Sequence, residues 1–335
     1  MSNQTPSPMT TPTTNDAAMG TILGALAGDA AGAVLEFFGR PITEIDVRHA
    51  LSMPGGGVWN VAPGQVTDDG ELTMSLLEAL AEEPENPTEA AAKRYARWVA
   101  SGPFDIGATT AASLGCLRRH EHAAQAEQHG IVRVMSAVAL ARCQHSKANG
   151  SLMRATPLAV WGAKRDERIV IEATMADVRL SHPNPSCVGA AVAYVMAIRD
   201  LLRGGTAASA FAVAERVLAG VLAGPDYEEP REWLAEARRG MNVPYTPQDG
   251  FVRIGFTHAF RHLLANTPWE AAIAETLLGG GDTDTNACIV GGLLGARDGA
   301  SKIPAAMRSA VLTAGSDRPS YLHPRRVSAL VARLE

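Results

Sequence analysis

Apolar residues recur along most of this chain at the three- and four-residue spacing of a helical face. Leu72, Leu76, Leu77 and Leu80 form one such face, which predicts a helix near 70–82. The same spacing predicts further helices at 87–100, at 187–203 and through most of 206–278, with a loop at 241–253. No stretch alternates apolar and polar residues as a half-buried strand does, and no repeat of 20–50 residues is visible. The pattern therefore predicts an all-α fold.

The first apolar segment, 20–37, carries small residues every four positions. This spacing predicts a helix face against which a second helix can pack closely, and its members are Gly20, Gly24, Gly28 and Gly32. Asp29 and Glu36 lie in the same segment. Burying an acid among apolar residues is costly unless it is paired or binds a metal. Both acids are therefore candidates for a functional site.

Two loop-to-helix stretches share one set of acids and hydroxyls: PGQVTDDGELTM over 63–74 and GGGDTDTN over 279–286. Each places Asp and Thr at a helix start, where the macrodipole favours negative charge. Either stretch alone could be an ordinary helix cap. Carboxylate and hydroxyl oxygens without His or Cys suit Mg²⁺ or Mn²⁺ rather than zinc. Two matching sets far apart in sequence favour one metal site assembled by the fold.

Three other loops offer candidate ligand contacts. Gly107 follows a turn whose free N–H groups could face a phosphate, although a simple helix start explains the turn equally well. Asn149 and Gly150 form a turn signal, with a positive φ expected at Gly150, and Ser151 is expected to cap the next helix. Such a loop before a helix could cradle a diphosphate. His182 lies in a proline-stiffened loop that fits scaffold and binding roles equally.

Composition narrows the class of protein. The 335 residues are 46% hydrophobic and 19% charged, which is ample for a large core, and the net charge of −5 gives no footprint for nucleic acid. No apolar run is judged long enough to span a membrane, and the start lacks a signal pattern. The four cysteines show no Cys-x-x-Cys spacing and are interpreted as reduced thiols of a cytoplasmic protein. Residues 1–17 are mostly polar and predict a disordered tail before one domain over 18–335.

Six motifs follow one another along the chain and cover most of residues 19–310: GALAGDAAGAVLE (24–36), PGQVTDDGELTM (63–74), PFDIGATT (103–110), ANGSLMR (148–154), LSHPNPSC (180–187) and GGGDTDTNACIVGGLLGA (279–296). In this order they resemble the motifs of the ADP-ribosylglycohydrolases, especially the bacterial dinitrogenase-reductase-activating type that acts on ADP-ribosyl-arginine.

The resemblance implies a compact, single-domain orthogonal helical bundle with two Mg²⁺ or Mn²⁺ ions. The metal ligands it implies are Thr67, Asp68, Asp69, Asp282, Asp284 and Thr285. The catalytic acids it implies are Glu36, Asp105, Asp69 and Asp284, and which of them is the base stays open. The ADP-ribose contacts it implies are Gly107, Asn149, Gly150, Ser151, Met153 and His182.

The activity implied is hydrolysis of the bond between ribose C1″ and a protein side chain, with an ADP-ribosylated protein as substrate and ADP-ribose as product. Arginine is the favoured linkage because Asp105 stands where the arginine-directed branch has an acid. Serine linkages and O-acetyl-ADP-ribose are alternatives. So is a non-catalytic binding or immunity protein, although no metal carboxylate is lost. Neither nucleic acid nor membrane is an expected partner, and a monomer is compatible with the pattern.

Two details bear on this interpretation. A phosphatase with an aspartyl nucleophile also uses an Asp-x-Asp-Thr motif, but it needs an apolar strand before the motif, and here three glycines precede Asp282. Gly70 stands where many relatives have Thr, which removes a hydroxyl near the expected metals.

Overall fold

All regular elements of the described chain are helical, apart from two isolated bridges, Gly56–Val61 and Ala148–Phe251. The structure is a computed structural model that describes residues 12–334. Its α-helices are α1 Thr14–Gly32, α2 Glu44–Leu51, α3 Asp68–Glu82, α4 Pro87–Ala100, α5 Ala108–Leu114, α6 His120–His129, α7 Ile131–Cys143, α8 Thr156–Gly162, α9 Glu167–Arg179, α10 Pro185–Leu202, α11 Ala207–Ala219, α12 Glu228–Arg238, α13 Val252–Ala265, α14 Trp269–Gly279, α15 Thr283–Asp298, α16 Ala305–Thr313 and α17 Val327–Val331. The predicted all-α class is confirmed.

Helices α1 and α15 pack against each other along their lengths because glycines face glycines. A Cβ at Gly20 would lie 2.2 Å from the carbonyl oxygen of Gly295, and one at Gly24 would lie 2.3 Å from that of Gly291. The predicted small-residue face is thus confirmed. At the other end of the pair, a Cβ at Gly32 would lie 2.3 Å from Asp284 Cα. This packing brings the end of α1, with Glu36 beyond it, beside the start of α15.

The N-terminal boundary differs from its prediction. The predicted tail ran to residue 17, and its residues 1–11 lie outside the described chain. Helix α1, however, begins at Thr14, where the Thr13 hydroxyl accepts a hydrogen bond from Asp16 N. The Asp16 carboxylate accepts from the backbone and the hydroxyl of Ser301, and Ala17 is buried. These contacts hold the last residues of the predicted tail in the helix, although their composition is polar.

One helix meets the length and hydropathy of a membrane span, contrary to the expectation that no apolar run does. Helix α10 has 18 residues and a mean hydropathy of 1.3, but 83% of it is buried inside the protein. Its apolar residues therefore serve the core. That core is one continuous cluster running from Ala17 to Val331, as expected of a single domain, and the four cysteines within the fold are buried and free.

Candidate active site

The loops before α3, α5 and α15 and the end of α1 bring carboxylates together in one place. Oxygens of Glu36, Asp105 and Asp284 all lie within 4.8 Å of one another. Thr67 and Asp282 occupy the N-cap positions of α3 and α15, yet neither side chain makes a capping hydrogen bond. Instead, the Thr67 hydroxyl donates to Asp29, and the Asp282 carboxylate accepts from Asn149. The interpretation of these stretches as simple caps is therefore disfavoured by the geometry.

Hydrogen bonds join the two Asp/Thr stretches directly. Thr67 Oγ1 lies 3.3 Å from Asp284 Oδ2 and 3.4 Å from Asp69 Oδ2, and the Thr285 hydroxyl donates to Asp69 Oδ2 at 3.2 Å. Asn149 donates to Asp282 Oδ2 at 2.7 Å. Residues far apart in sequence thus form one connected polar cluster.

Asp29 is paired, and its partners are protein groups. It accepts hydrogen bonds from the backbone N–H groups of Thr67 and Gly70 and from the Thr67 hydroxyl, at 2.8–3.1 Å. A Cβ at Gly70 would lie 2.5 Å from Val66 Cβ and 2.7 Å from Asp29 Oδ2. Glycine at position 70 therefore lets Asp29 reach the start of α3 and hold the Thr67 loop in place.

Burial raises the pKa values of the clustered acids. It raises the pKa of Glu36 to about 8, with the Asp105 charge adding to the effect, and that of Asp29 to about 7 despite its hydrogen bonds to Thr67. Burial also raises the pKa of Asp105 to about 6, opposed by a hydrogen bond with Asp68. The pKa values of the other buried acids are raised well above the usual range, again chiefly by burial and then by neighbouring carboxylates: Asp68, Asp69 and Asp284.

These residues fit a hard divalent cation. Asp69 Oδ1 is buried without a hydrogen-bond partner, and every donor atom offered by the cluster is a carboxylate or hydroxyl oxygen. No Lys or Arg is among the described residues that line the cavity at this cluster. Buried carboxylates without a basic partner are stabilised when a cation binds among them, and oxygen ligands are those that Mg²⁺ and Mn²⁺ prefer.

The acids form one side of a cavity of about 440 Å³. The predicted site residues that line it are Glu36, Asp68, Asp105, Gly107, Asn149, Gly150, Met153, His182, Asp282, Asp284 and Thr285. Thr67 and Asp69 lie directly behind this lining, bonded to Asp284 and Thr285. Ser151 does not line the cavity. It is buried with its hydroxyl unpartnered, and it does not cap a helix because α8 begins only at Thr156, after Ala155.

Asp105 lies just before α5 but does not cap it. The N-cap position is held by Gly107, without a side-chain capping bond, and Asp105 turns towards Asp68. Its carboxyl is thus directed to the acid cluster at the cavity wall.

Sequence reasoning missed several lining residues. Trp59 Nε1 donates to Glu36 Oε2 at 2.5 Å, and its ring lies 6.3 Å from that of Phe104. Asp249 and Gly250 enter the lining from the loop before α13. The available signals were the long Gly/Pro loop that carries Trp59 and the Asp-Gly turn at 249–250, but neither signal says which cavity a loop will reach.

Gly150 is needed for space. Its φ is not positive, so the expected left-handed conformation was wrong. A Cβ there would lie 2.9 Å from Thr110 Oγ1 and 3.1 Å from His182 Cε1, in the part of the cavity wall formed by uncharged residues. Close approach of the Thr110 and His182 side chains therefore requires glycine.

Gly150→Val is expected to weaken binding of ADP-ribose about 10-fold or more, since overpacking costs about 1–3 kcal/mol and the added methyls would displace His182. Titration calorimetry with ADP-ribose measures this. Gly224→Val is the matched control, because a Cβ at Gly224 meets nothing within 4 Å and its φ of −65° suits any residue. Equal affinities of the two variants would contradict a ligand contact at this wall.

Comparison with known proteins identifies relatives of this chain. The family model described as ADP-ribosylglycohydrolase matches residues 10–333. The chain is 25% identical to the ADP-ribosyl-[dinitrogen reductase] glycohydrolase of Rhodospirillum rubrum, over 88% of this chain and 90% of that protein. It is 32% identical to the ADP-ribosylarginine hydrolase Tri1 of Serratia proteamaculans, over 31% of this chain and 29% of that protein.

A solved structure supports the fold. The structure titled "ADP-ribosylglycohydrolase-related protein complex" superposes with a TM-score of 0.71 at 22% identity and covers 96% of this chain and 97% of its own. The family model matches nearly the whole chain, and all six motifs contribute residues to the acid-lined cavity. This chain belongs to the ADP-ribosylglycohydrolase family.

Proposed function

We propose that this hydrolase uses divalent cations to cleave the N-glycosidic bond of ADP-ribosyl-arginine in a modified protein, releasing ADP-ribose. The observation that carries the proposal is the lining of the cavity. Three carboxylates of the lining are not among the cation ligands proposed below, and no Lys or Arg is among the described residues of the lining. These carboxylates are Glu36, Asp105 and Asp249. A guanidinium group is cationic and has a planar set of donors, so a carboxylate-lined cavity attracts and orients it.

The cation ligands in this proposal come from the two joined stretches: Thr67, Asp68, Asp69, Asp282, Asp284 and Thr285. When bound there, two Mg²⁺ or Mn²⁺ ions would supply positive charge that holds the ribose hydroxyls and activates a water. The remaining work belongs to protein groups. Asp29 holds the Thr67 loop in place because it accepts hydrogen bonds from two groups of Thr67 and from the backbone N–H of Gly70. Asn149 holds the Asp282 carboxylate in a single orientation.

Proton transfer falls to Glu36 and Asp105 in this proposal. A group transfers protons well when its pKa is near the working pH, and in the cation-free protein burial raises the pKa of Glu36 to about 8 and that of Asp105 to about 6. Trp59 donates to Glu36 and so fixes the position of one carboxylate oxygen. The departing guanidine needs a proton. In this proposal the carboxyl of Asp105, at the cavity wall, donates that proton.

The uncharged part of the lining, the neutral wall, is suited to the uncharged and anionic parts of ADP-ribose. It comprises Asn149, Gly150, Met153 and His182. Burial, followed by the Arg154 charge, lowers the pKa of His182 to about 3, so its ring is neutral at physiological pH. In this proposal the acids carry out the reaction and the neutral wall binds the rest of ADP-ribose.

Release of free ADP-ribose from matched peptides tests the proposal. Peptides carrying ADP-ribosyl-arginine or ADP-ribosyl-serine, and O-acetyl-ADP-ribose, are incubated with the protein after chelation and again with added Mg²⁺ or Mn²⁺. Cation-dependent release from the arginine peptide alone supports the proposal. Release only from the other two substrates would assign a different linkage, and no release from any would indicate a non-catalytic binding protein.

The cation-free protein is expected to lose stability as pH rises. The folded pKa values of Glu36, Asp29 and Asp105 exceed their ordinary values of 4.5, 3.8 and 3.8. The folded state therefore holds protons that the unfolded chain releases, so this stability is full below about pH 4 and is lost as pH rises through about 6 to 8. We expect the unfolding free energy to fall by about 2 kcal/mol or more between pH 5 and pH 8.

Urea denaturation in a chelator at the two pH values measures this loss, and added Mg²⁺ should reverse most of it at pH 8. Glu36→Gln should show a smaller loss, because its amide carries no charge to bury. An unfolding free energy that does not change with pH in the chelator would contradict the raised pKa values.

A further inference from the structure

A buried ion pair lies behind the neutral wall of the cavity, outside the machinery described so far. Arg154 is fully buried, and its Nε donates to Asp177 Oδ2 at 3.3 Å and to the Tyr95 hydroxyl at 3.1 Å. Tyr95 in turn donates to Asp177 Oδ1 at 2.7 Å. A buried guanidinium is tolerated only when it is paired and its donors are satisfied. This group is thus held in one fixed position.

The other guanidinium nitrogens of Arg154 reach both loops of the wall. Nη1 donates to the carbonyl oxygen of Gly150 at 3.0 Å. Nη2 donates to the backbone carbonyl of Asp177 at 3.2 Å and to the Ser181 hydroxyl at 2.9 Å. One side chain therefore ties the Gly150 loop to the loop that carries His182.

The hydrogen bonds behind His182 determine which ring nitrogen carries its proton. His182 Nδ1 lies 2.8 Å from Ser181 Oγ. Arginine only donates, so Ser181 Oγ must accept from Arg154 and its own proton is free for another acceptor. The acceptor within hydrogen-bond distance of this hydroxyl is His182 Nδ1. If Nδ1 carried the proton instead, the buried serine hydroxyl would have no acceptor, which costs free energy. The proton of the neutral ring is therefore on Nε2.

The ring of this histidine belongs to the lining of the cavity. His182 is fully buried, and its Nε2 has no hydrogen-bond partner. A Cβ at Gly150 would lie only 3.2 Å from Nε2, so a side chain there would crowd this nitrogen. A buried, unpartnered N–H is typical of a donor that waits for a ligand.

We propose that Arg154 and Ser181 are positioning residues that hold His182 as its Nε2–H tautomer, so that the ring donates one hydrogen bond to an acceptor oxygen of bound ADP-ribose. The identity of the ligand rests on the proposed function, whereas the tautomer does not. The arrangement selects oxygen acceptors, such as those of a diphosphate or ribose, and rejects groups that can only donate.

Nitrogen NMR of protein labelled at histidine reads the tautomer without any ligand. The protein has nine histidines, and the signals of His182 are assigned as those that disappear in a His182 variant. We expect neutral His182 with a protonated Nε2 and an unprotonated Nδ1. Ser181→Ala should shift these two signals and weaken ADP-ribose binding about 10-fold, the effect of one lost hydrogen bond. Ser75→Ala is the control, because Ser75 is equally buried but its hydroxyl donates only to the Glu71 carbonyl in α3.

A pair of replacements tests the donor position. A glutamine amide nitrogen lies near the place of Nε2, and an asparagine amide nitrogen lies near that of Nδ1. His182→Gln should keep ADP-ribose affinity within about threefold and His182→Asn should lose about 10-fold, at unchanged helical circular dichroism. A protonated Nδ1 in the wild type, or equal affinities of the two variants, would overturn the proposal. A wild type that binds no ADP-ribose would contradict the proposed function and the ligand, while the nitrogen signals still decide the tautomer.

Discussion

Replacement of Asp284 with asparagine is expected to reduce release of ADP-ribose by about 1,000-fold or more. The side chain keeps its shape but loses the charge at the point where the two Asp/Thr stretches meet. Cation binding contributes several kcal/mol to such reactions, and about 1.4 kcal/mol corresponds to a factor of ten in rate. Release of ADP-ribose at saturating substrate and Mg²⁺ measures the effect.

The fold should survive this change, which separates it from a general loss of structure. Burial and neighbouring carboxylates raise the pKa of Asp284 well above its usual range, so its charge destabilises the cation-free protein. We therefore expect the cation-free variant to melt at the wild-type temperature or above it. The rise in melting temperature that Mg²⁺ produces in the wild type should be smaller in the variant, because a ligand that binds more weakly stabilises the folded state less at the same concentration.

Asp166→Asn is the matched control for Asp284→Asn. Asp166 caps α9 by accepting from Arg168 N, and asparagine can make the same bond. This variant should keep normal activity and a normal response to Mg²⁺. Full activity of Asp284→Asn, or of the wild type after exhaustive chelation, would refute the cation mechanism.

Asp105→Asn is expected to slow hydrolysis of ADP-ribosyl-arginine about 100-fold, the scale of a lost acid or base. Burial raises the pKa of Asp105 to about 6, so the carboxyl can exchange a proton near neutrality, whereas an amide cannot. Affinity for free ADP-ribose should change little, since the neutral wall is untouched. Turnover of the arginine peptide and calorimetry with ADP-ribose measure the two quantities.

Two comparisons distinguish proton transfer from other roles of Asp105. Its oxygen lies among those that could hold a cation, so the Mg²⁺ concentration for half-maximal activity is measured as well. Proton transfer predicts that this concentration is unchanged. Asp249→Asn removes an exposed carboxylate from the same cavity, and an equal loss there would indicate only general attraction of the cationic substrate. Near-normal turnover of Asp105→Asn would remove the main reason for preferring arginine.

The helical pattern and the chemistry of the motifs could be read from the chain itself. A period near 3.6 residues shows in local spacing, and the four-residue glycine spacing of α1 marks a packing face whatever partner it meets. The Asp and Thr sets are likewise local, because hard oxygen donors indicate a class of cation before any contact is known. The polar composition of residues 14–17 predicted a disordered tail instead of a helix, since the order of these residues depends on contacts with a distant partner, Ser301.

Only the tertiary structure decided which of these groups meet and what they do there. It directed the side chains of Thr67, Asp105 and Asp282 away from capping bonds and towards partners from other parts of the chain, namely Asp29, Asp68 and Asn149. Ser151 is not part of the cavity lining, whereas Trp59 and Asp249 are. Glycine is required at position 150 because a side chain would collide with its neighbours, and not because of a positive φ. Burial, which no local pattern specifies, then raised the carboxylate pKa values and left His182 neutral with one unpartnered nitrogen. Those properties arise from desolvation and from contacts between residues distant in sequence, so the sequence determined the donors and the fold determined the site.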